Sequence, residues 1–175
     1  KIVMLNEGLI AEMNYKGIDT LRRHGYKHYE ISNFAKHGYE CRHNLNCWNM
    51  GEYLGIGAGA HSFFNKKRTS NIKDVHAYIE FLNSGISVIE EETEISDDEA
   101  LKEFIFLGLR KTEGIDISRI PDEKRLLIMK AVEDIESHGL IELKDISLRL
   151  TRKGLLLSNE VIVKLLLYIE MNHPS

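Results

Sequence analysis

The chain has 175 residues, 43% apolar and 29% charged, a composition that allows one good core or two small ones. Its net charge of −4 argues against polyanion affinity as the main function, so we expect no nucleic-acid partner. No apolar run approaches the roughly 20 residues of a membrane-spanning helix, and two cysteines are typical of a reducing compartment, so we expect a cytoplasmic protein without an integral membrane segment.

The first element in chain order is a helix. An apolar stripe at helical spacing predicts it from about Asn6 to His24, and Gly25 follows at the usual terminating position. The sequence enters this helix almost at once, without an initiator methionine. We therefore interpret the chain as a piece of a longer protein.

Strands are predicted next. Residues 26–34 alternate and are rich in strand formers, and residues 53–64 are interpreted as a second strand weakened by glycines. A helix over residues 74–85 follows, and the acidic run at residues 90–94 is interpreted as a solvated connection. A helix followed by a strand predicts an αβ unit in this half of the chain.

From Ser96 the pattern changes, because Ser96 and Glu99 form a capping box that opens a helix. A second helix begins at Pro121 and ends at Gly139, residues 141–150 alternate as a hairpin, and a last helix begins at residue 158 or 159. These elements predict a winged-helix-like module. We therefore predict an α+β fold, with domains over residues 1–92 and 93–175.

A winged helix often binds DNA, so the charge of this module matters. Residues 93–175 contain twelve Lys and Arg against sixteen Asp and Glu, whereas residues 1–92 contain eleven of each. The module lacks the basic face that phosphate contacts require. We therefore predict a packing or partner-docking role for it.

The segment "CRHNLNCW" at residues 41–48 is the densest in chemistry. Cys41, His43 and Cys47 offer metal ligands, but zinc sites usually draw on two separated ligand pairs and only one cluster is present. A haem face is the better match, with His43 or Cys47 as an axial ligand and Trp48 for stacking. From the residues alone, an ordered loop around a buried Trp48 is still the favoured interpretation.

The glycines of "GIGAGAHS" at residues 55–62 suggest a nucleotide site only weakly. Their spacing lacks the third glycine of the dinucleotide-binding motif. A strand with alternating glycines exposes its backbone, so a flat ligand or an adenosyl group could lie against it. Close packing of a helix over the strand is the alternative.

The stretch "GYKHYEISNFAKHGYECRHNLNCWNMGEYLGIGAGAHSF" resembles the HemW-like haem chaperone branch of the oxygen-independent coproporphyrinogen III oxidase-like radical SAM family. The resemblance continues through "FLGLRKTEGIDISRI" and "SHGLIELKDISLRLTRKGLLLSNEVI", and so covers essentially the whole chain. It implies that residues 1–92 are the last strands and helices of a partial radical SAM barrel. Residues 93–175 would be the HemN-type C-terminal domain.

The resemblance also implies cofactors. Members of this family begin with a barrel whose C-x-x-x-C-x-x-C loop holds a [4Fe–4S] cluster next to S-adenosylmethionine. Cys41 and Cys47 are too few for the three cluster thiolates. We therefore expect no catalytic residues and no radical chemistry in this chain, and no bound metal except haem iron.

Within the family a His-Asn-x-x-Tyr-Trp pattern is implicated in haem binding. His43, Asn44 and Trp48 match it, and Cys47 stands where the tyrosine is expected. The resemblance thus implies haem binding by these four residues, with iron ligated by His43 or by Cys47. It also implies that Gly59, Ala60 and His61 are neighbours of S-adenosylmethionine.

The implied function is haem binding and delivery to haem-requiring enzymes, with haem or a porphyrin and a haem donor or acceptor protein as partners. Two alternatives remain open. One is oxygen-independent coproporphyrinogen III oxidase activity, in which an adenosyl radical initiates oxidative decarboxylation. The other is a partner-docking module without catalysis.

Overall fold

The computed structural model describes residues 6–171, which form an α+β arrangement of helices and small antiparallel sheets. The predicted α+β class is confirmed. The helices are α1 (Glu7–Arg23), α2 (Arg42–Trp48), α3 (Val75–Asn83), α4 (Asp97–Gly108), α5 (Asp122–Ser137), α6 (Arg152–Leu156) and α7 (Ser158–Met171). The strands are β1 (Lys27–His28), β2 (Phe34–Ala35), β3 (His61–Phe64), β4 (Lys67–Asn71), β5 (Ile89–Glu94), β6 (Ile115–Asp116), β7 (Ile141–Lys144) and β8 (Ser147–Leu150).

Helix α1 matches its prediction because its ends are determined locally. Asn6 caps the helix, with its side-chain oxygen accepting a hydrogen bond from the Gly8 backbone N–H at 2.8 Å. Gly25 follows the helix with a φ of 82°, in the left-handed region that glycine favours. No residue of α1 is buried, so this helix adds little to the core.

Two strand predictions in the first half are wrong. Residues 26–34 do not form one strand: β1 and β2 pair antiparallel around a turn, in which the Tyr29 N–H donates to the Asn33 carbonyl at 3.3 Å. In the glycine-rich stretch only β3 is a strand. Gly57 and Gly59, with φ values of 113° and 67°, turn the preceding chain into an irregular loop.

The acidic run at residues 90–94, predicted as a connection, belongs to strand β5, so that prediction is also wrong. Strands β3, β4 and β5 form one antiparallel sheet in that order, and β4 was not predicted at all. All six residues of β5 are exposed, so no alternation of apolar residues marks it as a strand. Its pairing depends on backbone hydrogen bonds to β4 and on cross-strand ion pairs such as Lys67–Glu92 at 2.6 Å.

The second half contains the main hydrophobic core. The capping box is present as predicted, with the Ser96 hydroxyl accepting from the Glu99 N–H and the Glu99 carboxylate accepting from the Ser96 N–H. Helices α4, α5 and α7 pack with the sheet β6–β8–β7 in a winged-helix-like arrangement. The fully buried side chains at its centre include Ile105, Leu109, Ile128, Ile162 and Leu165.

The two halves are joined by backbone and side-chain contacts. The Ile31 N–H donates to the Arg110 carbonyl at 3.0 Å, and the Thr112 N–H donates to the Tyr29 carbonyl at 3.2 Å. Arg68 of β4 also makes a bidentate ion pair with Glu103 of α4, with both N–O distances at 2.9 Å. The proposed domain boundary after residue 92 falls inside β5 and stays a prediction. Within residues 6–171 no helix is long and apolar enough to cross a membrane.

The core position of α7 leads to a stability prediction. Leu165 is fully buried and Leu167 is 49% exposed on the same helix. We expect Leu165→Ala to lower the free energy of unfolding by about 2–5 kcal/mol, because it removes packed methyl groups and leaves a cavity. Leu167→Ala should change the same quantity by less than about 0.5 kcal/mol. Urea unfolding followed by circular dichroism measures both, and equal effects would contradict this location of the core.

Candidate functional site

The four residues predicted to bind haem all lie on α2. The sequence predicted an ordered loop here, whereas residues 42–48 form two turns of helix. Cys41 occupies the N-cap position but makes no side-chain cap hydrogen bond; its backbone N–H donates instead to the Tyr29 hydroxyl at 3.4 Å. Because the helix lacks a strong local cap and has no buried residue, it depends on contacts with the rest of the chain, chiefly with α4.

His43 and Cys47 lie one helical turn apart on the same face of α2. The Cys47 Sγ is 3.8 Å from the His43 Nε2, and His43 is exposed while Cys47 is half-buried. The ring of Tyr53 meets the His43 ring edge-on, with centroids 6.0 Å apart. Tyr53 was missed by the sequence analysis, because nothing in its local sequence indicates that it lies beside His43. A phenol is therefore present next to this histidine although Cys47 replaces the expected tyrosine.

Trp48 faces away from that pair and towards the second half of the chain. The Arg110 guanidinium carbon lies 5.0 Å from the centroid of the Trp48 ring, a cation–π contact. The Trp48 Nε1 is buried and makes no hydrogen bond within the described residues. Trp48 is half-buried and lies in a helix, whereas the sequence predicted a buried Trp48 in an ordered loop.

Lys111, next to Arg110, reaches the end of the same helix. Its ammonium donates a hydrogen bond to the side-chain oxygen of Asn49, the residue that caps α2. Burial lowers the pKa of Lys111 below its ordinary value, while Glu113 acts in the opposite direction. Two consecutive cationic residues after α4 thus contact the last turn of α2. Arg110 stacks on the indole of Trp48, and Lys111 binds the cap residue Asn49.

A small cavity lies behind Cys47. Its volume is about 170 Å³, and its lining includes Cys47, Tyr53 and the Arg68–Glu103 ion pair. Pockets that enclose small-molecule ligands usually measure about 300–1,000 Å³. The cavity is therefore too small for a macrocycle, and a large flat ligand at α2 would have to lie on the exposed face that carries His43.

The predicted S-adenosylmethionine neighbours lie in the loop before β3 and at its start. The Gly59 N–H donates to the Ile72 carbonyl at 2.9 Å, and the Ala60 carbonyl accepts from the Asn71 N–H at 2.9 Å. His61 is exposed and pairs with β4. Gly59 lies in a turn with a φ of 67° and only His61 is in the strand, and the assignment of these three residues, which was based on the family resemblance, stays a prediction.

The close backbone approach expected at the glycines does occur, at Gly55. A Cβ atom there would lie 2.2 Å from the His61 carbonyl oxygen, so only glycine fits. The approaching group is the chain itself and not a packed helix. At this position the glycine thus has a structural explanation.

Candidate metal-binding clusters are absent from the part of the chain that the structure describes. Among residues 6–171 no group of three or more His, Cys, Asp or Glu side chains is placed to hold a metal ion. The two cysteines of the chain are fewer than the three thiolates of a radical SAM cluster. The residues present do not fit a [4Fe–4S] cluster, whose ligands would have to come from outside this chain.

The chain is an α+β structure in which α2, the helix that carries His43, packs against a winged-helix-like module. Comparisons with known proteins identify that module. Residues 95–157 match the family model of the HemN C-terminal domain. Over 94% of its length the chain also resembles the coproporphyrinogen III oxidase HemN from Escherichia coli, a radical SAM enzyme, with a TM-score of 0.68 and 16% identity. It covers 42% of that structure, and the likeness supports the fold.

Curated relatives point to the same family. The chain is 37% identical to the heme chaperone HemW of Bacillus subtilis, over 86% of this chain and 41% of the relative. It is 32% identical to HemW of Lactococcus lactis, over 90% of this chain and 42% of the relative. The chain thus spans about two fifths of the length of the curated relatives it matches. The resemblance to the HemW-like branch of the coproporphyrinogen III oxidase-like radical SAM family is confirmed.

The cysteine count leads to a spectroscopic prediction. We expect anaerobic incubation of the chain with iron, sulfide and reductant to produce no stoichiometric charge-transfer absorption, because two thiolates are too few for a cubane cluster. The matched control is the Cys41→Ser, Cys47→Ser double variant, which should give the same spectrum. A band with matching iron and sulfide that disappears in the double variant would contradict the prediction.

Proposed function

We propose that this chain is the haem-binding part of a HemW-like protein, which carries haem and delivers it to haem-requiring enzymes. The observation that supports this most is the exposed His43 on α2, within a His-Asn-x-x-Cys-Trp pattern. Helix α2 packs against α4, which lies in the part of the chain that matches the HemN C-terminal domain. Imidazole is a common axial ligand of haem iron. The relatives named as heme chaperones support the same assignment.

His43 and Cys47 would compete for the iron. Their ligand atoms are 3.8 Å apart on one face of α2. A macrocycle placed between them would run into the helix backbone, because the cysteine side chain is short. One of the two therefore ligates the iron at a time. We assign this role to His43, since it is exposed and Cys47 is turned towards the small cavity.

An open site suits a carrier. The cavity behind Cys47 measures about 170 Å³ and is too small to enclose a macrocycle. Haem bound at α2 would therefore lie on the outside of the helix and keep one face accessible to solvent or to a partner protein. An acceptor could then approach the iron without rearrangement of a surrounding pocket. The partners we infer are a haem or porphyrin ligand and a haem donor or acceptor protein, in the cytoplasm.

The longer protein would carry the remaining cofactors. We infer that it binds a [4Fe–4S] cluster and S-adenosylmethionine through residues outside this chain, as its radical SAM relatives imply. The alternative activity, oxidative decarboxylation of coproporphyrinogen III, would need that cluster. Assaying the reconstituted longer protein for haem retention and for coproporphyrinogen III consumption, side by side, separates the two activities.

The ligand assignment is tested by titrating haem into the chain and recording the Soret band. We expect His43→Ala to weaken haem binding by at least about tenfold, which corresponds to about 1.4 kcal/mol, and to shift the Soret maximum. Cys47→Ala should change the affinity by less than about threefold, since the thiol is not the ligand. The histidine control is His76→Ala, on the exposed surface of α3.

The opposite pattern, with loss of binding in Cys47→Ala and retention in His43→Ala, would move the ligand to the thiolate. Equal retention in both variants, or equal loss in His43→Ala and His76→Ala, would remove α2 as the haem site. Cys47→Tyr restores the tyrosine of the family pattern. It should bind haem at least as tightly as the unmodified chain if His43 is the ligand.

A further inference from the structure

We propose that Tyr53 is a positioning residue for the haem ligand, because its ring keeps the imidazole of His43 in one orientation. The imidazole then binds haem iron without first having to be ordered. This inference rests on the proposed function and deepens it, since Tyr53 prepares the ligand and is not itself the ligand. The family pattern at residues 43–48 does not include Tyr53, which follows it in the chain.

The side chain of His43 has one hydrogen-bond partner and one aromatic partner within residues 6–171. Its Nε2 lies 3.8 Å from the Cys47 Sγ, and its ring meets that of Tyr53 at an interplanar angle of 82°, with the centroids 6.0 Å apart. Aromatic rings favour this edge-to-face geometry at centroid separations of about 4.5–7 Å. An exposed side chain without such neighbours would sample several rotamers, so these two residues define the direction of the imidazole.

The contact with Tyr53 is the one that persists when Nε2 binds iron. A ring nitrogen that ligates a metal uses its lone pair for that bond, so ligation through Nε2 replaces the interaction of this atom with the Cys47 thiol. The edge-to-face contact involves the two ring systems and needs no lone pair. Tyr53 therefore orients the imidazole of His43 both before and after the iron is bound.

Tyr53 is itself fixed by backbone hydrogen bonds on both sides. Its N–H donates to the Phe63 carbonyl at 2.8 Å, and its carbonyl accepts the Phe63 N–H at 2.9 Å, which pairs it with β3. The backbone carbonyl of Asn46 on α2 accepts the Gly51 N–H at 2.8 Å, and the Asn46 Nδ2 donates to the Glu52 carbonyl at 3.0 Å. The segment after α2 is thus folded back onto the helix, and this brings Tyr53 beside His43.

Most histidines of the described chain lack such a contact. In residues 6–171 only His28 and His43 have an aromatic partner, and His28 stacks on Phe34 with the ring centroids 4.4 Å apart. The His28 ring is half-buried, and its Nε2 lies 3.1 Å from the Ile31 carbonyl oxygen. Among these histidines His43 alone combines an aromatic partner with an exposed side chain, as an open and ordered metal ligand requires.

The test measures haem affinity in variants of Tyr53. We expect Tyr53→Leu, which keeps apolar volume and removes the ring, to weaken haem binding about three- to tenfold, the cost of ordering one side chain on binding. Its Soret maximum should stay that of the unmodified chain, because His43 is still the ligand. Tyr53→Phe keeps the ring and should restore the affinity to within about twofold. The matched control is Phe34→Leu, which removes the aromatic partner of His28 and should leave haem binding unchanged.

A double-mutant cycle separates positioning from packing, because a positioning residue acts only through His43. In the His43→Ala background we expect Tyr53→Leu to cause no further loss of haem affinity. An equal loss in both backgrounds would mean that Tyr53 contacts haem directly or supports the fold, and it overturns the inference. Where His43→Ala binds haem too weakly to measure, the electron paramagnetic resonance spectrum of the ferric complex decides. Tyr53→Leu should broaden that spectrum, since the imidazole orientation becomes distributed, and an unbroadened spectrum overturns the inference.

The remaining outcomes separate this inference from the proposed function. Unchanged affinity in Tyr53→Leu, with weaker binding in His43→Ala, overturns the inference and leaves the ligand assignment intact. Unchanged affinity in both variants overturns both. Equal losses in Tyr53→Phe and Tyr53→Leu would assign the effect to the hydroxyl and not to the ring, which also overturns the inference. Tyr53→Met replaces the leucine variant, with the same expected results, if circular dichroism shows that the latter is unfolded.

Discussion

The arrangement of the whole chain depends on a short antiparallel backbone pairing between residues 110–112 and residues 28–31. Ile31 and Thr112 each donate a backbone hydrogen bond across it, and the Thr112 hydroxyl donates a third to the His28 carbonyl at 2.9 Å. This pairing directly follows α4, the helix that enters the main core. Through it, a well-packed module fixes the position of a first half that has few buried apolar residues of its own.

The same pairing determines where α2 can lie. Arg110 and Lys111 contact Trp48 and the cap residue Asn49, so a strand-like segment positions the end of a two-turn helix. A helix of seven residues is too short to be stable by itself. The candidate site is consequently built from both halves of the chain, although all residues identified in it from the sequence come from one.

Local signals explain which parts of this structure were predictable. Helices α1 and α4 have side-chain caps, and the β7–β8 hairpin follows the alternation of its residues. Strand β5 was missed because all of its residues are exposed, so the sequence shows no alternation of apolar and polar residues there. Its strand conformation depends on pairing with β4. Residues 54–60 were misassigned because glycines at positive φ interrupt an apparently apolar strand.

The residues of the candidate site divide in the same way, into those that the sequence predicted and those that it missed. His43, Asn44, Cys47 and Trp48 were found because a pattern within six residues resembles a known family. Tyr53 and Arg110 reach them from β3's entry loop and from the end of α4, and no feature of their own sequence neighbourhood indicates the contact. These contacts join residues that are distant in the chain, so only the folded structure shows them.

The packing of Trp48 against Arg110 gives the molecule an internal optical reporter. Trp48 is the single tryptophan of the chain, so all indole emission comes from the point where the two halves meet. A nearby guanidinium and a buried, unpartnered Nε1 define the electric field and polarity that this indole experiences. The emission maximum and lifetime of the unmodified protein therefore report directly on whether α2 stays seated on the second half.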